Sequence, residues 1–507
     1  MGKPGAFLTI DRVAHRARPV SERTQDYREL YVEPDEAVRR AQASRCMMCG
    51  VAFCQTGAPF GHARPSGCPL HNLIPEWNDL IWRGRWSDAA QRLALTNPLP
   101  EFTSRVCPAL CEAACNLGSV NDEPTTIHDN ERAISDWEWA HGGPRRFAPP
   151  AEDAPRVAVV GSGPAGLACA WELARRGFRV TVVERADRAG GLLMYGIPAM
   201  KLEKDVVARR TALMEELGIR FVLGVDAAEH EVAQQLLADN DAVILTVGAR
   251  RARPLNAPGA DGPGVVFALD YLTAATRAVL EGDAAPAALS ARDRNVVVIG
   301  GGDTGNDCIA TAVRQGARSV RQLELTPRPA DRRAPNNPWP EWPQVLKTDY
   351  GQEEAIALSG DEIRAWSVDT REVVRGADGS VQALRVVDLD WTTGSPEAVP
   401  GTERTIPCDL VLIACGFTGA EPDVFDAFNV AFAETGRPLP LTTAPTSHRC
   451  ALTDAASLSN DSEPERIGTA PLFVAGDARN GSTLVVSAIA DALACVDEVV
   501  EALRGRA

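Results

Sequence analysis

No stretch of about 18 consecutive apolar residues occurs in the 507-residue chain, so the sequence offers no candidate for a membrane-spanning helix. The N-terminus lacks the basic-then-apolar pattern of a secretory signal, and a cytosolic protein is the default expectation. Positive charge is also in short supply: 52 Lys and Arg against 68 Asp and Glu leave a net charge of −16. That balance excludes a general nucleic-acid or anionic-membrane binder, although local arginines can still hold a small anion. What remains is ordinary for a soluble globular protein, with 45% hydrophobic and 24% charged residues. The length is too great for one core and implies two or three domains.

Cysteine is the exception to this plainness. Thirteen are present, and in a reducing compartment they are not expected to pair as disulfides. Six of them (Cys169, Cys308, Cys408, Cys415, Cys450 and Cys495) are scattered, mostly along apolar stretches, and read as small buried hydrophobes. The other seven crowd into the first 115 residues as Cys46-x2-Cys49-x4-Cys54, Gly67-Cys68-Pro69 and Cys107-x3-Cys111-x3-Cys115. A short helix from Pro34 to Ser44, opened by proline and acids, leads into them. Between the groups, Leu73 to Trp82 and Trp86 to Leu95 have helical spacing, and their tryptophans read as core.

Two metal readings stay open for these cysteines, beside the reading that they are inert. Zinc would take four Cys or a mixed Cys/His set, and Cys-x2-Cys suits it. Only His62, His71 and His128 would complete such a set, and none has His-x3–5-His spacing. Iron–sulfur clusters also take four thiolates each, with short Cys-x2-Cys runs and a Cys-Pro nearby. Seven cysteines fall one short of two four-ligand sites. Either a non-cysteine residue completes the second or one cluster keeps an open position.

After the Pro-rich linker Ala148 to Pro155, a β-branched run meets Gly161-x-Gly163-Pro164-Ala165-Gly166, and an Ala/Leu-rich helix follows. In a strand–loop–helix unit the first glycine makes the turn, the second admits a pyrophosphate and the third lets helix approach strand. A second strand ends at Glu184, 23 residues after Gly161, where a ribose hydroxyl needs an acceptor. Gly190-Gly191-Leu192 forms a turn able to lie against a flat ligand, and Ala242 to Gly248 reads as a buried strand. A second fingerprint, Gly300-Gly301-Gly302-Asp303-Thr304-Gly305, lies 139 residues after the first. Beyond its next strand, Arg328, Arg332 and Arg333 suit a 2′-phosphate while Glu324 suits a free 2′-hydroxyl. Three arginines against one acid favour NADPH, with NADH or a merely solvated basic loop as alternatives. Late in the chain, Leu472 to Gly476 would close the first sheet. Asp477 would then start a helix, as cofactor contact, N-cap or both, ahead of Thr483, Leu484 and Val485.

The expected fold is therefore α/β, with two nested Rossmann-like dinucleotide-binding domains behind a helical cysteine-rich one. The boundaries read as 1–150 for the cysteine domain, 151–253 with 410–507 for the first nucleotide domain, and 254–409 for the nested one.

Nearly the whole chain resembles the small (beta) subunit family of bacterial glutamate synthase. The most specific pieces are the cysteine motifs above with Asn72-Leu-Ile-Pro-Glu-Trp-Asn-Asp79, Tyr195-Gly-Ile-Pro198, Gly300 to Gly305 and Asn337-Pro-Trp-Pro-Glu-Trp-Pro343. The resemblance implies FAD on the first loop, NADPH on the second and two [4Fe–4S] clusters in the N-terminal domain. A similar module in dihydropyrimidine dehydrogenase completes one cluster with a carboxamide, and the corresponding residue here is Glu131. By that analogy Cys46, Cys49, Cys54 and Cys115 would hold one cluster, and Cys68, Cys107, Cys111 and Glu131 the other. Gly57 to Ser66 reads as an insertion relative to many family members. The family's partner is a large (alpha) subunit that makes glutamate from glutamine and 2-oxoglutarate, supplied with electrons by NADPH through flavin and clusters. No amidotransferase domain is recognisable here, so alone the chain would oxidise NADPH only with artificial acceptors. Two alternatives remain: a reductase module for another oxidoreductase partner, and a zinc-stabilised nucleotide-binding scaffold. A thioredoxin-reductase-type activity is disfavoured because the nested domain lacks Cys-x2-Cys.

Overall fold

Short amphipathic helices carrying tryptophan build the first part of the molecule. The computed structural model describes residues 3–60, 64–433, 437–440, 447–451 and 470–504. In the cysteine-rich unit α1 (Glu36–Ser44), α2 (Ile74–Trp82), α3 (Trp86–Leu93), α4 (Pro100–Val106) and α5 (Ile127–Ala140) turn their apolar faces inward. Trp77, Ile81, Trp86, Phe102 and Ile134 fill the centre, as helical spacing of the tryptophans requires. Proline in the first turns of α2 and α4 fits positions whose N–H has no intrahelical partner.

The first parallel sheet is built from β1 (Arg156–Val160), β2 (Arg179–Glu184), β3 (Arg220–Leu223), β4 (Ala242–Leu245) and the late strand Leu472–Val474. Their spatial order is Leu472–Val474, β4, β1, β2, β3. Val157 and Val159 of β1 enter the same apolar cluster as Trp77, Phe102 and Met214, while Ala158 and Val160 enter a separate cluster on the opposite face. A strand covered on both faces needs a continuous apolar run, which is what β1 supplies. The cysteine-rich unit therefore shares one core with this sheet, although the linker at 148–155 separates them in sequence.

One buried ion pair crosses that shared core. Arg210, on the helix α6 (Lys204–Glu216), grips Glu101 of α4 through two hydrogen bonds, and both side chains are fully buried. The guanidinium also lies over the rings of Trp139 and Trp171, at 5.3 and 4.7 Å from their centroids.

The chain enters the nested unit through β5 (Arg251–Ala252) and leaves through β14 (Phe417–Gly419), which pair as an antiparallel ribbon. Between them β6 (Val265–Phe267), β7 (Asn295–Ile299), β8 (Ser319–Leu323), β9 (Arg364–Ala365) and β13 (Leu410–Ile413) form the second parallel sheet, in the order β9, β8, β7, β13, β6. The antiparallel strands β10 (Val368–Arg375), β11 (Val381–Asp390) and β12 (Arg404–Pro407) pack on it, Leu384 and Val386 meeting Val297 and Val411. The boundary expected at 409/410 is thus too early. Leu410–Ile413 pairs with β7 and β6, so it completes the nested sheet and does not return to the first one. Both units call for a buried β-branched strand near this point, and composition alone does not separate them.

An N-terminal strap ties the nested unit down. Leu30 is fully buried with Met200, Ala310 and Tyr350, and its amide donates to the Met200 carbonyl at 3.1 Å. Tyr27 packs beside it, whereas Tyr31 is 39% exposed. Arg23 is buried and pairs with Glu354 and Glu353 at 2.7 Å each, and Arg314 holds the other oxygen of Glu354 at 2.6 Å. Among the described residues no helix is long and apolar enough to cross a membrane.

Candidate functional site

The carboxyl ends of the first sheet open into a cavity of about 280 Å³. The loop after β1 forms its floor. Gly161 has φ of 99°, and a Cβ there would stand 2.7 Å from the Thr246 carbonyl oxygen. Gly163 has open space where a side chain would point, and Gly191 approaches its backbone so closely that a Cβ would lie 2.9 Å from the Gly163 Cα. Glu184 accepts from the Ser162 amide at 3.0 Å and hydroxyl at 2.6 Å. The carboxylate is thereby fixed at the strand end, where an adenosine ribose would lie. Of the candidate residues, Gly161, Gly163, Pro164, Ala165, Glu184, Gly191, Leu192, Gly248, Asp477, Thr483, Leu484 and Val485 line this cavity. Gly166 and Gly476 do not: the first packs against Gly161 and the second against Ala165.

Asp477 opens the short helix Asp477–Asn480, whose N-cap is Gly476, so the aspartate is not itself the cap. It accepts from the Thr483 amide at 3.1 Å, and burial pushes its carboxyl above the ordinary range. Behind it, Asp491 accepts from the Gly476 amide at 2.7 Å and meets His448 Nε2 at 3.2 Å, while His448 Nδ1 lies 2.7 Å from Glu498. Burial opposes protonation of His448, but the two carboxylates outweigh it and raise its pKa above 6.5. The stabilisation is therefore complete below pH 6.5 and fades as pH rises through the raised native value. Thermal melts between pH 6 and 9 should show this loss, and His448→Asn should flatten it. An unchanged slope in the variant would remove His448 as the cause.

The second fingerprint opens into a cavity of about 550 Å³. Gly302 is the N-cap of α7 (Asp303–Arg314), with open space in front of it, and Gly301 lies so close to Glu324 that any side chain would overlap the carboxylate. Gly301, Gly302, Asp303 and Glu324 line this cavity, Thr304 lines the first, and Gly300 lines neither. The three arginines singled out for a 2′-phosphate are not brought in. Arg328 is exposed over Trp366 and pairs with Asp331, Arg332 is exposed, and Arg333 donates to the Glu341 carbonyl at 2.8 Å. The loop after β8 turns its basic side chains outward, and Arg64, Lys347 and Arg364 face the cavity instead. Those three come from distant sequence and had no local signal, apart from the position of Arg364 on β9 beside the strand that leads to Glu324.

Val106, Lys201 and Asp303 line both cavities. Val106 ends α4, and the next residue, Cys107, lines the second cavity. The cysteine-rich unit thus touches the place where the two nucleotide cavities meet.

The seven N-terminal cysteines fall into two groups. Cys46, Cys49, Cys54 and Cys115 surround one small cavity with Asn78, Asn116 and Ile127. Cys68, Cys107 and Cys111 are mutual electrostatic neighbours, and each also feels Glu131. The groups adjoin, because the Cys68 amide donates to the Cys54 carbonyl at 2.8 Å. The 57–66 excursion closes on itself through the Ala58–Ser66 bridge, so its ends leave Cys68 beside Cys54. Burial pushes the Cys46, Cys68 and Cys107 thiols up to about 12. Backbone N–H groups nonetheless donate to these sulfurs: Met48 to Cys46, Leu70 and Asn72 to Cys68, Ala109 and Leu110 to Cys107. Met48 and Ala109 adopt φ of 53° and 65°, a strained region for non-glycine residues that aims these donors. Arg64 also favours the Cys107 thiolate, but burial outweighs it; a bound metal would supply the charge these buried thiols need to ionise, and the donor set fits thiolate ligation. Glu131 is raised to about 7 by burial, against hydrogen bonds from Thr103 and Asn97 at 2.5 and 2.9 Å.

Among the described residues no three His, Cys, Asp or Glu converge tightly enough for a single-ion site. His71 is exposed on the Gln55 carbonyl and His128 contacts the Thr103 carbonyl, while His62 lies outside the described residues. All thirteen cysteines are free. Five of the six scattered ones are buried, Cys415 being half-buried.

Two nucleotide folds meeting against a cysteine-rich helical unit define a pyridine-nucleotide-dependent flavoprotein oxidoreductase with an iron–sulfur domain. Family models agree: one described as "Pyridine nucleotide-disulphide oxidoreductase" matches residues 155–342, and one for dihydropyrimidine dehydrogenase domain II, 4Fe-4S cluster, matches 23–143. The chain is 40% identical to the "Glutamate synthase [NADPH] small chain" of Bacillus subtilis, over 100% of this chain and 99% of that protein. It is 42% identical to the protein of the same name in Mycobacterium tuberculosis, covering 100% and 97%. It is also 39% identical to "Glutamate synthase [NADH]" of Schizosaccharomyces pombe, of which it spans 23%. The chain belongs to the glutamate synthase small-chain family.

Proposed function

We propose that this chain is the electron-input subunit of a glutamate synthase, taking electrons from NADPH through FAD and two [4Fe–4S] clusters to a large subunit. That partner would make glutamate from glutamine and 2-oxoglutarate. Bound flavin would supply the exchange between two-electron hydride chemistry and single-electron chemistry, which no side chain of the protein can perform.

The observation that carries this reading is the end of α4. Val106 faces both nucleotide cavities and Cys107 faces the second, so a metal group held by Cys107 would adjoin the place where hydride is exchanged. For FAD, the β1 loop and the following helix N-terminus would meet the pyrophosphate, and Glu184, positioned by Ser162, would accept from the ribose. For NADPH, Gly302 and the start of α7 would hold the pyrophosphate, with Arg364 and Lys347 toward the 2′-phosphate. Cys46, Cys49, Cys54 and Cys115 would ligate one cluster. Cys68, Cys107, Cys111 and Glu131 would ligate the other. Glu131 keeps one carboxylate oxygen free for this, since both of its hydrogen-bond donors use Oε1.

Iron and acid-labile sulfide per FAD in anaerobically purified protein provide the test. About eight of each is expected, falling to about four in Glu131→Ala if the second cluster is lost. Stoichiometric zinc with little sulfide would make the cysteine-rich unit structural and sink the electron-conduit reading.

A further inference from the structure

Lys201 is the one cation among the three residues that line both nucleotide cavities. Its position is set from three sides. The Lys201 amide donates to the Pro198 carbonyl at 3.1 Å, and the preceding residue is pinned by the Leu30 amide on the Met200 carbonyl. The ammonium reaches across to the nested unit, where it lies 3.5 Å from Asp307 Oδ1 and 5.7 Å from the centre of the Tyr350 ring. Tyr350 in turn donates its hydroxyl to the same Asp307 oxygen at 2.7 Å. Burial disfavours the charge on Lys201, but Asp307, Asp349 and Asp303 outweigh it and raise its pKa above 10.5. A lysine held this way stays cationic at any working pH.

Hydride transfer between the two nucleotides breaks a C–H bond of the dihydronicotinamide and forms an N–H bond on the isoalloxazine. It moves two electrons and one proton, leaving the flavin one charge more negative and the nicotinamide one charge more positive. A fixed cation at the junction, half-buried and so only partly screened by water, favours that outcome on the flavin side.

We propose that Lys201 sets the reduction potential of the bound flavin, with Asp307 as the positioning residue that holds its ammonium at the junction. This rests on the FAD and NADPH reading above and is independent of the clusters and of the large subunit. The two groups should act with opposite signs. Removing the cation leaves the carboxylates unopposed and makes flavin reduction harder, whereas neutralising Asp307 leaves the cation opposed only by Asp349 and Asp303 and makes it easier.

The experiment is the two-electron potential of bound FAD, measured by dye equilibration in the full-length protein, together with FAD content. Lys201→Met is expected to weaken reduction by about tenfold, a negative shift of about 30 mV. Lys201→Arg should stay within a factor of about two of the unmodified protein, and Asp307→Asn should shift positive. If Lys201→Met retains FAD with an unchanged potential, the assignment is wrong. Should Lys201→Met fail to hold FAD, Asp307→Asn decides alone, and a zero or negative shift there overturns the proposal. If the unmodified protein binds no FAD, the functional reading fails first, and with it this one.

Discussion

Glu101→Ala is expected to destabilise the protein by about 3–5 kcal/mol, because it strands a buried guanidinium without its partner. Arg210 is fully buried and sits between two tryptophans, so no water is at hand to replace the lost carboxylate. The pair joins α4 of the cysteine-rich unit to a helix of the first nucleotide domain, so the damage falls on the joint between them. Replacing both residues, as Glu101→Met with Arg210→Met, should recover most of the loss, since well-packed apolar groups can substitute for a buried ion pair. Denaturant unfolding of the single and double variants checks this. A loss below about 1 kcal/mol in Glu101→Ala would mean that water reaches the pair.

Gly166→Val should abolish flavin binding. A Cβ at this position would overlap the Gly161 carbonyl and stand 2.8 Å from Thr246 Oγ1. Thr246 donates to the carbonyls of Val160 and Gly161 at 2.9 and 3.0 Å, so neither neighbour can move without breaking the turn. The helix must retreat from the strand, which costs about 3 kcal/mol even before ligand is considered. The same retreat carries the helix N-terminus away from the pyrophosphate. Purified variant should lack the flavin absorption bands and keep only iron–sulfur absorbance, with FAD content below about a tenth of normal and little recovery on adding FAD. Normal flavin content would show that the helix can shift without disturbing the loop, against the role given to this glycine.

Sequence was most informative where one residue type has one physical job. Glycine fingerprints, strand-terminal acids and cysteine spacings each impose a local geometry: Gly163 and Glu184 line the first cavity, Gly302 lines the second, and Cys46, Cys49, Cys54 and Cys115 surround a third. It was least informative where residues meet only through folding. Lys201 follows the Tyr195-Gly-Ile-Pro198 turn with nothing to mark it as the cation between two cavities. Arg64, Lys347 and Arg364 reach the second cavity from three separate segments, whereas Arg328, Arg332 and Arg333, adjacent in sequence to the expected site, turn away from it. The same limit moved the boundary at 410: a Leu-Val-Leu-Ile strand fits either parallel sheet, and only pairing assigns it. Asn337 to Pro343, a recognisable motif without an evident task, packs on the cysteine loop, Trp339 against Phe53 at 4.9 Å and the Ser66 hydroxyl on the Pro340 carbonyl at 2.6 Å.

The ribbon of β5 and β14 has a consequence for how such a molecule can be rebuilt. Entry and exit of the nested unit are neighbours in one antiparallel pair, about 5 Å apart in the hydrogen-bonding direction. A hairpin turn of two residues would close that gap, so the whole insert could be cut out and the ends rejoined with little chain entropy at stake. The same ends would accept a different dinucleotide module whose own termini lie side by side. Compatibility would be decided by the side chains that meet the insert, since Arg23, Leu30, Phe53, Ser66 and Lys201 must find partners on whatever replaces it. Exchange of the reductant-binding module is therefore simple for the backbone and demanding for the side chains that meet it.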